Sequence, residues 1–211
     1  MDETALRLDP NYMAVRRGVP LMHSHLGNLI LESDSANARL EFQTALQLYN
    51  ALPLAQRQKR QQVRYGAYYI RKITAADAEL GEYSLAAPLF SQALAIYQQL
   101  ADTDAKDVST LADLYRVISD QSSSYEYAAD PLLADAVGKD PQIRKRNLQA
   151  AASSLQQCAA TLRRIIQLAP SQVGWKSELT DIMLRLNSIQ VALGMPSLSA
   201  DEITMSVEEL R

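Results

Sequence analysis

One pattern limits what this chain can become: a large side chain between two small ones, at fixed spacing, three times over. It reads Ala38-x3-Phe42-x2-Ala45, then Ala86-x3-Phe90-x2-Ala93, then in a looser form Ala151-x3-Leu155-x2-Cys158. Positions i, i+4 and i+7 lie on one stripe of an α-helix. The small residues let a paired helix approach closely. The large residue fills the gap between one helix pair and the next. A stripe of this kind, recurring along a chain, is the mark of stacked helical units that bury their faces on one another.

The remaining sequence agrees with helices. Glycine supplies only 7 of 211 residues and phenylalanine 2, while Ala, Leu and Gln abound and β-branched alternating runs are absent. The fold class predicted is all-α, with about seven long helices and a short C-terminal one. Breakers and caps set the bounds. Asp9-Pro10 precedes a first helix over 11–32, where Pro20 predicts a kink. Asp34 and Ser35 open a second helix that Pro53 stops near 52. A third runs over 55–82, on the order of 40 Å long. Gly81 ends it, and Ser84 opens a fourth that reaches 101. Helices over 106–129, 142–168 and 174–193 follow. The irregular stretch 130–141 separates the first two of these, and Ala169-Pro170-Ser171 the last two. Ser199 and Glu202 form a capping box for the last short helix, with Ile203, Val207 and Leu210 on one face. Linkers of two to five residues make neighbours antiparallel. The organisation predicted is an N-terminal extension at 1–10, a repeat domain at 11–194 built of pairs 11–52, 55–101 and 106–168 plus the helix 174–193, and a capping segment at 195–211.

The three stripes match the second-helix signature of the tetratricopeptide repeat. The first-helix signature is present in part as His23-x2-Leu26-Gly27-x2-Ile30, with His23 where that family carries tryptophan. Leu80-Gly81-x-Tyr83-x2-Ala86 resembles its turn, and Leu8-Asp9-Pro10-Asn11 returns as Leu168-Ala169-Pro170-Ser171. The chain resembles the tetratricopeptide family from about residue 9 to 194. The resemblance implies a right-handed α-solenoid of antiparallel helix pairs. Two departures stand out. Ala38, Ala86 and Ala151 are 48 and 65 residues apart, so the helices are longer than usual and the third repeat carries an insertion. Asp77 falls where an aromatic is usual. Asp-Pro linkers, long repeats and a helix-opening Trp175 are also similar to the repeat regions that follow the catalytic domain of some bacterial serine/threonine protein kinases. No Gly-rich loop, His-Arg-Asp or Asp-Phe-Gly is present. On that resemblance the chain is a non-catalytic regulatory or self-association region of a larger signalling protein.

In this family the first helix of each pair lines a concave groove. Along the third helix Val63, Ile70, Ile73 and Leu80 cluster on one side, and Arg57, Arg64, Tyr68, Arg71 and Ala75 on the other. Arginine forks hold carboxylates and tyrosine adds a flat contact surface. That face is therefore a candidate site for an acidic peptide or a terminal carboxylate, or else a solvated basic helix face. Ser24 and Asn28 are the matching groove positions on the first helix. Ten tyrosines against two phenylalanines suit an interface as well as a core.

Chemistry beyond binding finds little support. His23 and His25 point about 200° apart on a helix and cannot share a metal. Cys158 takes a small-residue core position with no base nearby in sequence, so a buried inert thiol is expected. The run Arg144 to Arg146 sits at a helix start, where cations oppose the dipole, and marks either a contact surface or an exposed turn. Formal net charge is −3, which gives no electrostatic footprint for nucleic acid. No apolar run approaches the roughly 18–20 residues that cross a bilayer. The first ten residues are too polar for a secretory signal. A single cysteine excludes an internal disulfide and agrees with a cytoplasmic setting. The function expected is a non-catalytic scaffold, without cofactor or metal, that binds a protein or peptide or pairs with a second copy.

Overall fold

Every residue of the three stripes is buried. Ala38, Phe42, Ala45, Ala86, Ala93, Ala151, Leu155 and Cys158 have no exposed surface, and Phe90 has almost none. The computed structural model describes residues 13–130, 140–199 and 201–203. These residues are helical throughout, apart from turns and connections. The helices are α1 (Met13–Ile30), α2 (Ser35–Asn50), α3 (Leu54–Arg57), α4 (Arg60–Glu79), α5 (Tyr83–Thr103), α6 (Val108–Ala129), α7 (Pro141–Leu168) and α8 (Gly174–Ala192). Residues 201–203 are helical as well. No helix among the described residues is long and apolar enough to cross a membrane.

Caps explain most of the boundaries. Asp34 accepts from the backbone N–H of Asn37, Asp107 from that of Thr110, and Asp140 from those of Gln142 and Ile143. Each satisfies donors that a helix start leaves orphaned. Gly81 and Gly194 follow α4 and α8 at φ +74° and +76°, where a side chain is strained. Ser199 and Glu202 bond reciprocally through backbone and side chain. The expected positions 11, 12, 131–139, Val207 and Leu210 lie outside the described residues.

One boundary corrects the sequence reading. The helix expected over 55–82 is two helices, because Gln58 closes α3 and Lys59 is extended at φ −65°, ψ 132°. The break is tied locally, since Arg57 Nε donates to the Leu52 carbonyl at 3.1 Å. α1 runs through Pro20, and α5 runs through Pro88.

The chain divides into two compact units, Met1–Tyr97 and Gln98–Arg211. In the first, α2 packs against both α1 and α4. Its core joins Ala38 and Phe42 to Ile73 and Ala76 of α4, with Ile30, Leu31, Leu46 and Leu89 packed against them. Two glycines make this closeness achievable. A Cβ on Gly27 would lie 2.7 Å from the Phe42 ring, and one on Gly66 the same distance from the Tyr49 ring. Asp77, at the unusual position, is 3% exposed and accepts from Arg39 Nη1 at 3.2 Å. The same nitrogen holds Glu82, just past Gly81. Burial pushes the Asp77 carboxyl above the ordinary aspartate range, against the pull of that guanidinium.

In the second unit, α7 packs against α6 and α8. The Tyr115 hydroxyl donates to Glu178 Oε2 at 2.6 Å, and its ring meets Trp175 edge-on at 6.2 Å. Arg185 of α8 reaches Glu126 of α6 and donates to Ser123 Oγ at 3.0 Å. Arg144 Nε donates to the Ala129 carbonyl at 3.0 Å, and Asn147 Nδ2 to that of Ala128 at 3.3 Å. The arginine at the start of α7 thus serves the carbonyl end of α6, where a cation is favoured.

Candidate interaction surface

The outer helices of the first unit touch directly. Asn28 Nδ2 of α1 donates to Tyr68 Oη of α4 at 2.7 Å on the exposed side. The Tyr68 ring lies edge-on to Tyr69 at 5.9 Å, and the Lys72 ammonium sits 5.8 Å from its centroid, within cation–π range. Tyr69 itself is 1% exposed, and burial raises its phenol above the usual tyrosine range. The expected apolar side of α4 is buried at Ile70 and Ile73, while Val63 is half-buried and Leu80 exposed.

Of the six predicted contact residues, the structure brings Asn28 and Tyr68 together. Arg64 and Arg71 share the same stripe of α4, half-buried, and each is already engaged in an interaction within the protein. Arg57 belongs to α3 and secures the turn before α4, so it is not part of that stripe. Ser24 is fully buried, and its hydroxyl donates to the Leu21 carbonyl at 2.9 Å. It offers no hydroxyl to a ligand, because the helix's own backbone satisfies it.

Other polar residues serve the fold. His23 Nδ1 lies 2.6 Å from Glu41 Oε2, so the residue at the tryptophan position makes a half-buried polar link between α1 and α2. Cys158 is buried against the Tyr115 carbonyl at 3.8 Å, and burial pushes its thiol up to about 12. A thiol so placed is neutral at physiological pH and is not a nucleophile.

Two surface features escaped sequence reasoning. On α1, Met22, Leu26 and Leu29 are exposed at 48%, 46% and 82%. Their spacing is legible, but i, i+4, i+7 apolar residues read as core. In the second unit an open cleft of about 410 Å³ lies among the ends of α6 and α8 and the start of α7. Leu148, Leu184 and Ile189 line it, beneath Glu126, Arg144 and Arg185. There Arg185 pairs with Glu126, Arg144 donates to the Ala129 carbonyl, and Asp130 adds a further acid.

Compared with known proteins, the chain matches no family model, and no curated protein matches it significantly.

Proposed function

We propose that this chain is a non-catalytic protein-interaction scaffold of tetratricopeptide-like architecture, which holds a peptide or helix along the exposed side of α1 and α4. The observation that carries this reading is the Asn28–Tyr68 bond. It links α1 to α4, and α2 packs against both, which suits first helices of two successive pairs. A row of first helices backed by second helices is the arrangement that gives repeat proteins an extended binding surface. A carboxamide, a phenol and a ring topped by an ammonium suit a peptide backbone and planar side chains. An acidic partner held by Arg64 and Arg71 is the weaker form of the proposal, since both guanidiniums have partners within the fold. Cys158 is buried and His23 is tied to Glu41, so the fold accounts for both.

The test is a photo-crosslinking amino acid installed at position 75, on the Tyr68 stripe of α4, and in a second protein at position 127, an exposed tyrosine of the other unit. Partner adducts at 75 that vanish on Asn28→Ala and on Tyr68→Phe support the reading. Equal labelling at 75 and 127, or none at 75, overturns it.

A further inference from the structure

We infer that the open cleft of the second unit binds a small aliphatic carboxylate, with the acid group on Arg144 and the chain along Leu148, Leu184 and Ile189. This goes beyond the proposed peptide surface, which belongs to the other unit and shares no residue with the cleft. At about 410 Å³ the cleft has the size of sites that take small molecules. It also has their make-up, apolar walls with a few polar groups above them. Ala129 and Ile189 are buried beneath it, whereas Leu184 is 46% exposed and leaves apolar surface for an occupant to cover.

The charged residues decide the sign of the ligand. Glu126, Asp130, Arg144 and Arg185 line the cleft, and all but Arg144 are fully occupied within the protein. Arg185 holds Glu126 through Nε and Nη2, and donates to Ser123 Oγ from Nη2 at 3.0 Å and to Ser119 Oγ from Nη1 at 3.5 Å. Glu126 also accepts from the Ser122 hydroxyl at 2.9 Å. Asp130 has an interaction of its own within the protein. Arg144 differs. Its Nε is fixed on the Ala129 carbonyl at 3.0 Å, and its terminal nitrogens bond to nothing among the described residues. A guanidinium anchored in this way keeps its end-on fork for a carboxylate. Because the anchor already restrains the side chain, a ligand has less to order on binding. An anion on Arg144 also relieves the opposition between that cation and the start of α7. A cationic ligand finds no such opening, since both acids are engaged. A bare inorganic anion would leave the apolar walls uncovered, so the ligand carries a chain.

Isothermal titration calorimetry of the full chain with octanoate tests this. Octanol and acetate are the comparison probes, each lacking one half of the ligand. Octanoate is expected to bind one site with a dissociation constant on the order of 100 µM, and the other two at least about tenfold more weakly. Arg144→Gln weakens octanoate by about tenfold or more. Arg146→Gln, the same change of charge at an exposed position on the same turn of helix, leaves it unchanged. Leu184→Glu weakens it as much as Arg144→Gln, by setting a like charge on the wall that the chain covers. Circular dichroism confirms that the variants fold. Should Arg144→Gln loosen the end of α6, the exposed Leu184→Glu still decides. No heat of binding at millimolar octanoate overturns the inference, as does binding indifferent to Leu184→Glu, or octanol bound as tightly as octanoate. A leucine-ended peptide that binds more tightly than octanoate through its free carboxylate overturns the assignment to a small molecule.

Discussion

Replacing Gly27 by alanine should destabilise the first unit, although alanine is the better helix former. The helical preference alone favours Gly27→Ala by about 1 kcal/mol. Against it, the new Cβ would lie 2.7 Å from Phe42 Cε1, 2.9 Å from Cζ and 3.0 Å from Cδ1, roughly 1 Å short of comfortable contact. The ring has nowhere to go. Phe42 has no exposed surface and is packed with Ala38, Ile73 and Ala76. Overfilling such a site costs about 1–3 kcal/mol, so after the helical gain the net loss is about 0–2 kcal/mol, with a rigidly held ring placing it toward the upper end. Gly18 is the internal control, nine residues earlier on the same helix. Nothing lies within 4 Å of its added Cβ, and Gly18→Ala should stabilise by about 0.5–1 kcal/mol. Urea titrations followed by far-UV circular dichroism measure both. In a Phe42→Leu background the Gly27→Ala cost should largely vanish, the signature of coupled neighbours. If Gly27→Ala stabilises as much as Gly18→Ala, the close approach of α1 and α2 is not real and the packing argument fails.

Two further outcomes follow from the buried polar groups. Arg39→Met should cost about 1–3 kcal/mol by leaving the Asp77 carboxylate buried alone, discounted because Arg39 and Glu82 are partly exposed. Asp77 is raised in the folded state, so its contribution is complete below the ordinary value of 3.8 and is lost as pH rises through the folded value. The Arg39→Met deficit should therefore shrink as pH falls from neutrality toward the ordinary aspartate range. A deficit that is constant, or that grows on acidification, would count against a lone buried carboxylate. Cys158, with its thiol pushed up to about 12 by burial, should resist a thiol-reactive dye in the native protein and react only as fast as the second unit opens. Labelling within seconds in native buffer would show the site to be open.

The helical fold and its core were legible because they depend on local volume and spacing. A position that must accept a neighbouring helix tolerates only small residues, and Ala38, Ala86 and Ala151 announce it. The caps at Asp34 and Asp140 were legible for the same reason, being contacts within a few residues. The surface was read less well. Ser24 and Asn28 are one turn apart and look equivalent in sequence. Ser24 falls in the wedge between neighbouring helices, however, while Asn28 reaches the edge where Tyr68 stands. Arg57 was assigned to the α4 stripe on the assumption of an unbroken helix, and the extended Lys59 cancels that phase. Met22, Leu26 and Leu29 have the pattern of a core face. Whether such a face is covered depends on which helix stands beside it, which periodicity does not encode.

The two units reach the same arrangement with different residues, and the difference separates what sets distance from what sets register. In each, a central helix, α2 or α7, packs against two outer ones. The distance is set by volume alone. Leu155 and Cys158 replace the phenylalanine and alanine of the earlier stripes and are buried as completely as Phe42 and Ala45, so the weaker sequence echo is not a weaker core. Apolar contact is non-directional, however, and would tolerate one outer helix sliding along the other. Between the outer helices, directional groups oppose that sliding. Asn28 to Tyr68 does this in the first unit, and Tyr115 to Glu178 with Arg185 to Glu126 and Ser123 in the second. Apart from a tyrosine in each unit, these pairs share no residue type, and they leave no common motif. Register therefore had to come from the structure, whereas the buried stripe of each helix could be read from its spacing.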